Sequence, residues 1–100
     1  MYAVTIRIHV DQLSEAELKT KLEAHRAWFT RYFEAGNFLL VGPFRDQFGT
    51  GMILAKTETR EALDAILAED AFYAEKLADY EVHEWIVNLV NPEVVRYQGQ

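Results

Sequence analysis

The chain contains no cysteine, so neither disulfides nor thiolate metal sites are available to it. Basic residues are in short supply, ten Lys and Arg against sixteen Asp and Glu for a formal charge of −6. Phosphate binding depends on clustered cations, and the ten here are scattered, which excludes DNA and RNA as partners. No apolar run approaches the ~20 residues that a membrane-spanning helix needs. The N-terminal MYAVTIRIHV is too short and too strictly alternating for a signal peptide, so no membrane partner is expected and the protein is read as soluble and cytoplasmic. No repeat, low-complexity tract or linker breaks the chain. One hundred residues in one continuous alternation of patterns predict one small domain, able to bury roughly 60–65% of its unfolded surface.

What is present is strong periodicity. Tyr2, Val4, Ile6, Ile8 and Val10 alternate with Ala3, Thr5, Arg7 and His9, the signature of a strand with one apolar face, ending near Asp11. The stretch Leu13 to Gly36 is the longest helical pattern: Ser14 and Glu17 make an S-x-x-E capping box, and Gly36-Asn37 is a stop signal. At 3.6 residues per turn Leu18, Leu22, Phe29, Tyr32 and Phe33 form one apolar stripe, and His25 falls inside it. Phe38 to Val41 is apolar at every position, as in a strand covered on both faces, and Gly42-Pro43 interrupts it. Phe44 to Gly51 reads as a hairpin connection into a third strand, Met52 to Lys56. Thr59 caps a second helix ending around Asp70, Ala71 to Leu77 suits a further short helical turn, and Tyr80 to Val90 reads as a fourth strand stopped by Asn91-Pro92.

The order strand, helix, strand, strand, helix, strand predicts an α+β, ferredoxin-like βαββαβ domain over residues 1–91. It has a four-stranded antiparallel sheet with both helices on one face and a tail from 92 to 100. One sheet face is then left bare, and a second copy of the chain packed sheet to sheet is the economical cover, so a homodimer is expected.

His25 is the first chemical candidate, because a neutral imidazole can take a proton from carbon or oxygen and return it elsewhere. On an apolar face it needs a partner: Asp70, at the end of the second helix, or Asp46, in the loop after Gly42-Pro43. The Gly42 to Gly51 loop brings Arg45 and turn-forming glycines toward an anionic or enolate oxygen. Trp28, Phe29, Tyr32, Phe44, Phe48, Phe72 and Tyr73 are the aromatic candidates for lining a pocket for a ring-shaped ligand, with Trp28 and Phe72 placed first and most of the others read as core. His9 and His83 approach each other if the first and fourth strands pair, but without ligand spacing they imply no metal.

Taken together these residues resemble the YciI-like, or YCII-related, family of the dimeric α/β-barrel superfamily, over about residues 2–91. The resemblance is carried by His25 in AHRAWF, Gly36 at that helix's end, Gly42-Pro43 in VGPFRDQFGTG, the Thr59-capped helix and the Asp70-Ala71-Phe72 segment. Two positions depart from the family's pattern: Ala71 stands for its proline, and Glu75-Lys76 for an Ala-Gly pair. The resemblance implies a His–Asp pair, acid–base chemistry on a small carbonyl or hydroxyaromatic compound, and no cofactor. A characterised relative removes chloride from a chlorinated hydroxyquinone precursor. The expected function is therefore a small dimeric lyase- or isomerase-like enzyme, the alternative being a non-catalytic ligand-binding or accessory protein.

Overall fold

A computed structural model describes residues 1–100. Its regular elements are β1 (Tyr2–Ile8), α1 (Glu15–Glu34), β2 (Phe38–Pro43), β3 (Thr50–Ala55), α2 (Arg60–Leu67) and β4 (Ala78–Glu84). Short 3-10 turns lie at Val10–Gln12 and Pro92–Tyr97. The strands form one sheet in the order β2-β3-β1-β4, every neighbouring pair antiparallel. Each β-α-β passage skips one strand, so β1 and β2 flank β3, and β3 and β4 flank β1. This is the ferredoxin-like α+β fold that the order of patterns predicts.

Alternation along β1 decides where the core sits. Tyr2, Val4, Ile6 and Ile8 are buried on the inner face, with Ile53 and Ala55 from β3 beside them and Leu63 and Leu67 from α2 above. A fully buried aliphatic side chain contributes about 1.5–3 kcal/mol, so these few positions carry much of the stability. Both helices start where the sequence marks them. The Ser14 hydroxyl accepts from the Glu17 amide while Glu17 accepts from the Ser14 amide, and the Thr59 hydroxyl accepts from the Ala62 amide.

Four expectations are corrected. β4 stops at Glu84 rather than Val90, because β1, its only partner, begins at Tyr2, which pairs with Glu84. β2 is not covered on both faces: Leu39, Leu40 and Val41 are exposed, and the register slips between Phe38 and Leu40. The expected helical turn at 71–77 is a run of tight turns. His9 and His83 do not meet, since His83 pairs across from Ala3 at the other end of β1; His9 contacts Asp79 and His83 contacts Glu81.

β2 and β3 approach closely at one point that allows no side chain. A Cβ on Gly51 would lie 2.8 Å from the Gly42 carbonyl oxygen and 3.2 Å from the Pro43 Cα, both backbone atoms that cannot swing aside, whereas a Cβ on Gly42 meets nothing within 4 Å. Gly51→Ala is therefore expected to lose about 1–3 kcal/mol, and Gly42→Ala to stay within about 0.5 kcal/mol of wild type. Parallel urea denaturation curves check this, and equal effects at the two glycines would contradict the close approach.

Candidate functional site

The face of α1 that carries His25 is anchored along the end of α2 and the segment following it. Lys21, His25, Trp28 and Tyr32 recur every three or four residues, so they form one row on the helix. Lys21 Nζ donates to Glu75 at 2.8 Å and to the Ala71 carbonyl at 3.4 Å, and Trp28 Nε1 donates to the Ile66 carbonyl at 2.9 Å. Tyr32 and Arg31 both bond Glu69. At the centre of the row, His25 Nδ1 donates to Asp70 Oδ1 at 2.6 Å.

Asp70 is the deepest polar group in the molecule, its side chain wholly buried. Its second oxygen accepts from the Tyr80 hydroxyl at 2.5 Å. Each carboxylate oxygen thus has one donor, and three elements converge on it: α1 through His25, the turn after α2 through Asp70 itself, and β4 through Tyr80. Burial, then the bond to Asp70, pushes the Tyr80 phenol far above its ordinary value, keeping it a protonated donor.

An acceptor at Nδ1 fixes the neutral imidazole in the tautomer whose hydrogen is on that nitrogen, leaving a lone pair on Nε2. Nε2 has no partner within the chain and is not sealed from solvent. The ring is held by neighbours: it stacks on Trp28 at 5.6 Å between centroids and meets the edges of Phe29 and Phe72 at 5.1 and 5.3 Å. An imidazole fixed on three sides, backed by a carboxylate and open at one nitrogen has the parts of a general base or acid.

His25 also lines a cleft of about 580 Å³ between α1 and the inner face of the sheet, a volume that suits a small molecule. α1 contributes a second row to it, Leu18, Leu22, Arg26, Phe29 and Thr30, and the opposite wall is β1, β2, β3 and the loop joining β2 to β3. That loop is closed on itself, with the Phe44 amide donating to the Thr50 carbonyl, the Thr50 amide to Gln47, and Gly49, at φ +75°, accepting from the Ile8 amide. Gly42, Pro43 and Arg45 line the cleft.

Other expected residues stand elsewhere. Asp46 makes no ion pair or hydrogen bond with His25 and does not line the cleft; the carboxylate on the imidazole is that of Asp70. Trp28 and Phe72 do not line the cleft either. Both are buried and pack on His25 from behind, where they set the ring rather than meet a ligand. Phe33, placed in the helix's apolar stripe, is 57% exposed, and Trp28 is the one buried residue of α1. Sequence reasoning missed Tyr80 and Arg26. Tyr80 is in phase with Val82 on the inner face of β4, a position where a tyrosine needs a partner for its hydroxyl, and that was the available signal.

The two departures from the family pattern fall in the turn that carries Asp70. The Ala71 amide donates to no group in the chain, so no hydrogen bond distinguishes this alanine from a proline. Lys76 takes φ 56°, the left-handed region that glycine enters without strain, so the backbone keeps the conformation of a glycine turn with a lysine in it.

A model of the YCII-related domain matches residues 1–86. No curated protein matches the chain.

The raised Tyr80 phenol has a sign that can be tested. Because its folded value lies above that of the unfolded chain, its contribution to stability is complete below about pH 10 and is lost as the pH rises beyond it. Phenolate absorbance at 295 nm is expected to rise identically in native wild type and Tyr80→Phe up to about pH 11. Smaller amplitude in the variant below that pH would mean that Tyr80 titrates freely.

Proposed function

The chain belongs to the YCII-related family, and on that footing we propose that it is a small enzyme that moves a proton on a small carbonyl or hydroxyaromatic compound, with no bound cofactor taking part. The observation that carries the reading is the buried Asp70 behind an imidazole whose other nitrogen is free beside a cleft. In this reading His25 Nε2 takes a proton from carbon or hydroxyl. Asp70 holds the tautomer and stabilises the imidazolium that forms, as the carboxylate of a hydrolase triad does for its histidine. The proton then returns to a different atom of the substrate, giving isomerisation, or to a departing group, giving elimination. Tyr80 keeps Asp70 in place and does not touch substrate.

His25→Gln is expected to reduce turnover by about 10²–10⁴-fold, the usual contribution of a positioned acid–base group, with an unchanged far-UV spectrum. The check is a panel of small carbonyl and hydroxyaromatic compounds, followed by deuterium incorporation from solvent and by leaving-group release. Binding without exchange or release in wild type would support the rival reading, a protein that holds the same ligands without converting them.

The same fold reading includes a homodimer through the face of the sheet that no helix covers. Leu40, Met52 and Trp85 are exposed there, around an apolar hollow of about 250 Å³ that Ala3, Leu54 and His83 also line. Wild type is expected to sediment as a dimer at micromolar concentration and Leu40→Glu as a monomer with intact secondary structure. A wild-type monomer under those conditions would exclude the dimer.

A further inference from the structure

The chain's acids outnumber its bases, yet no Asp or Glu lines the cleft. Two cations do, Arg26 and Arg45. Their state differs from that of every other arginine. Arg7 pairs with Asp79, Arg31 with Glu69, Arg60 with Asp64 and Arg96 with Glu93, whereas Arg26 and Arg45 make no ion pair and no hydrogen bond within the chain. The two guanidinium groups without an acidic partner are the two at this cleft. They come from opposite walls, Arg26 from the residue after His25 on α1 and Arg45 from the loop joining β2 to β3.

Charge complementarity decides what fits between them. We propose that the ligand is a monoanionic carboxylate on an apolar body, with its carboxylate held by Arg26 and Arg45 and its body lying against Leu22, Phe29 and Phe48 toward His25. Guanidinium presents two parallel N–H groups to a carboxylate, a geometry that lysine cannot reproduce. Beyond the arginines and His25, the polar side chains in the cleft are the hydroxyls of Thr30 and Thr50, and the rest of the lining is apolar or backbone. Such a lining gathers its cationic donors at the arginines and leaves apolar surface elsewhere, which suits a single anionic group on an apolar body. The Thr50 hydroxyl bonds nothing within the chain although the residue is 6% exposed, so it is available to a ligand carbonyl or hydroxyl. Anchoring at the arginines orients the ligand and discriminates against neutral analogues, which would leave the guanidinium groups without their anion.

This assignment rests on the reading of the cleft as the ligand site, and the test separates the two. The probes are 3-phenylpropanoate and the neutral 3-phenylpropanamide, of nearly equal shape, titrated into the full chain at low salt while backbone amide shifts are followed by NMR. The carboxylate is expected to shift amides of the β2–β3 loop and of α1 around His25. It should bind at least about tenfold more tightly than the amide, the worth of one charge-assisted hydrogen bond. Arg26→Gln and Arg45→Gln should each weaken carboxylate binding several-fold, and the double variant should bind both probes alike; Arg96→Gln should change nothing. The arginine sites are exposed and unpaired, so the variants are expected to fold, and the wild-type comparison of the two probes does not depend on them. Equal affinity for the two probes, or a carboxylate preference that survives in the double variant, overturns the anion assignment and leaves the cleft as the ligand site. Probes that bind only on the uncovered sheet face, or not at all at millimolar concentration, overturn both.

Discussion

The buried carboxylate of Asp70 is the constraint around which the molecule is arranged. An ionised group taken wholly out of water costs several kcal/mol unless each oxygen finds a donor, and here the donors arrive from two separate elements, His25 on α1 and Tyr80 on β4. Neither donor is free to move without leaving the carboxylate unsatisfied. The geometry of α1, the turn after α2 and β4 is therefore set by a polar requirement, while apolar burial holds the sheet and α2 together beneath it.

α1 meets that requirement by being two-sided. One row, from Lys21 to Tyr32, is fastened to residues 66–75 by hydrogen bonds at almost every turn; the adjacent row, from Leu18 to Thr30, faces the cleft. His25 lies at the boundary and serves both, with Nδ1 directed to the anchor and the ring bordering the cleft. A histidine in that position is what an apolar stripe interrupted by a titratable residue signifies here. The stripe is only partly buried because half of it borders open space, and Leu18, Leu22 and Phe29 are half-covered where a packed core would cover them fully.

Much of this was legible in the sequence. The capping box at Ser14, the alternation in β1 and the order of elements lead directly to the fold, because each rests on local geometry that tertiary contacts did not override. His25 stood out for the same reason. Its choice between Asp70 and Asp46 was open, since both are carboxylates in turns and only the meeting of α1 with the segment after α2 separates them. Trp28 and Phe72 illustrate the other limit: periodicity says that an aromatic is inward, but not whether the inward space is core or cleft. The end of β4 was misjudged because apolar residues continue to Val90, and strand length was set instead by where β1, its partner, begins.

Charge is layered across the site in a way that follows from these placements. Asp70 lies deepest with no solvent contact, the imidazole is in front of it, and the arginines are exposed on the cleft walls. A carboxylate lining the cleft would repel an anionic ligand; one behind the imidazole holds the ring and does not line the cleft. On the proposed reading a chain with net charge −6 accepts a negatively charged molecule at this site, because no acid lines the cleft and its two unpaired guanidinium groups do. In the proposed reading the buried acid acts on the histidine and the outer guanidinium groups act on the ligand, and that separation keeps the opposite charges from neutralising each other.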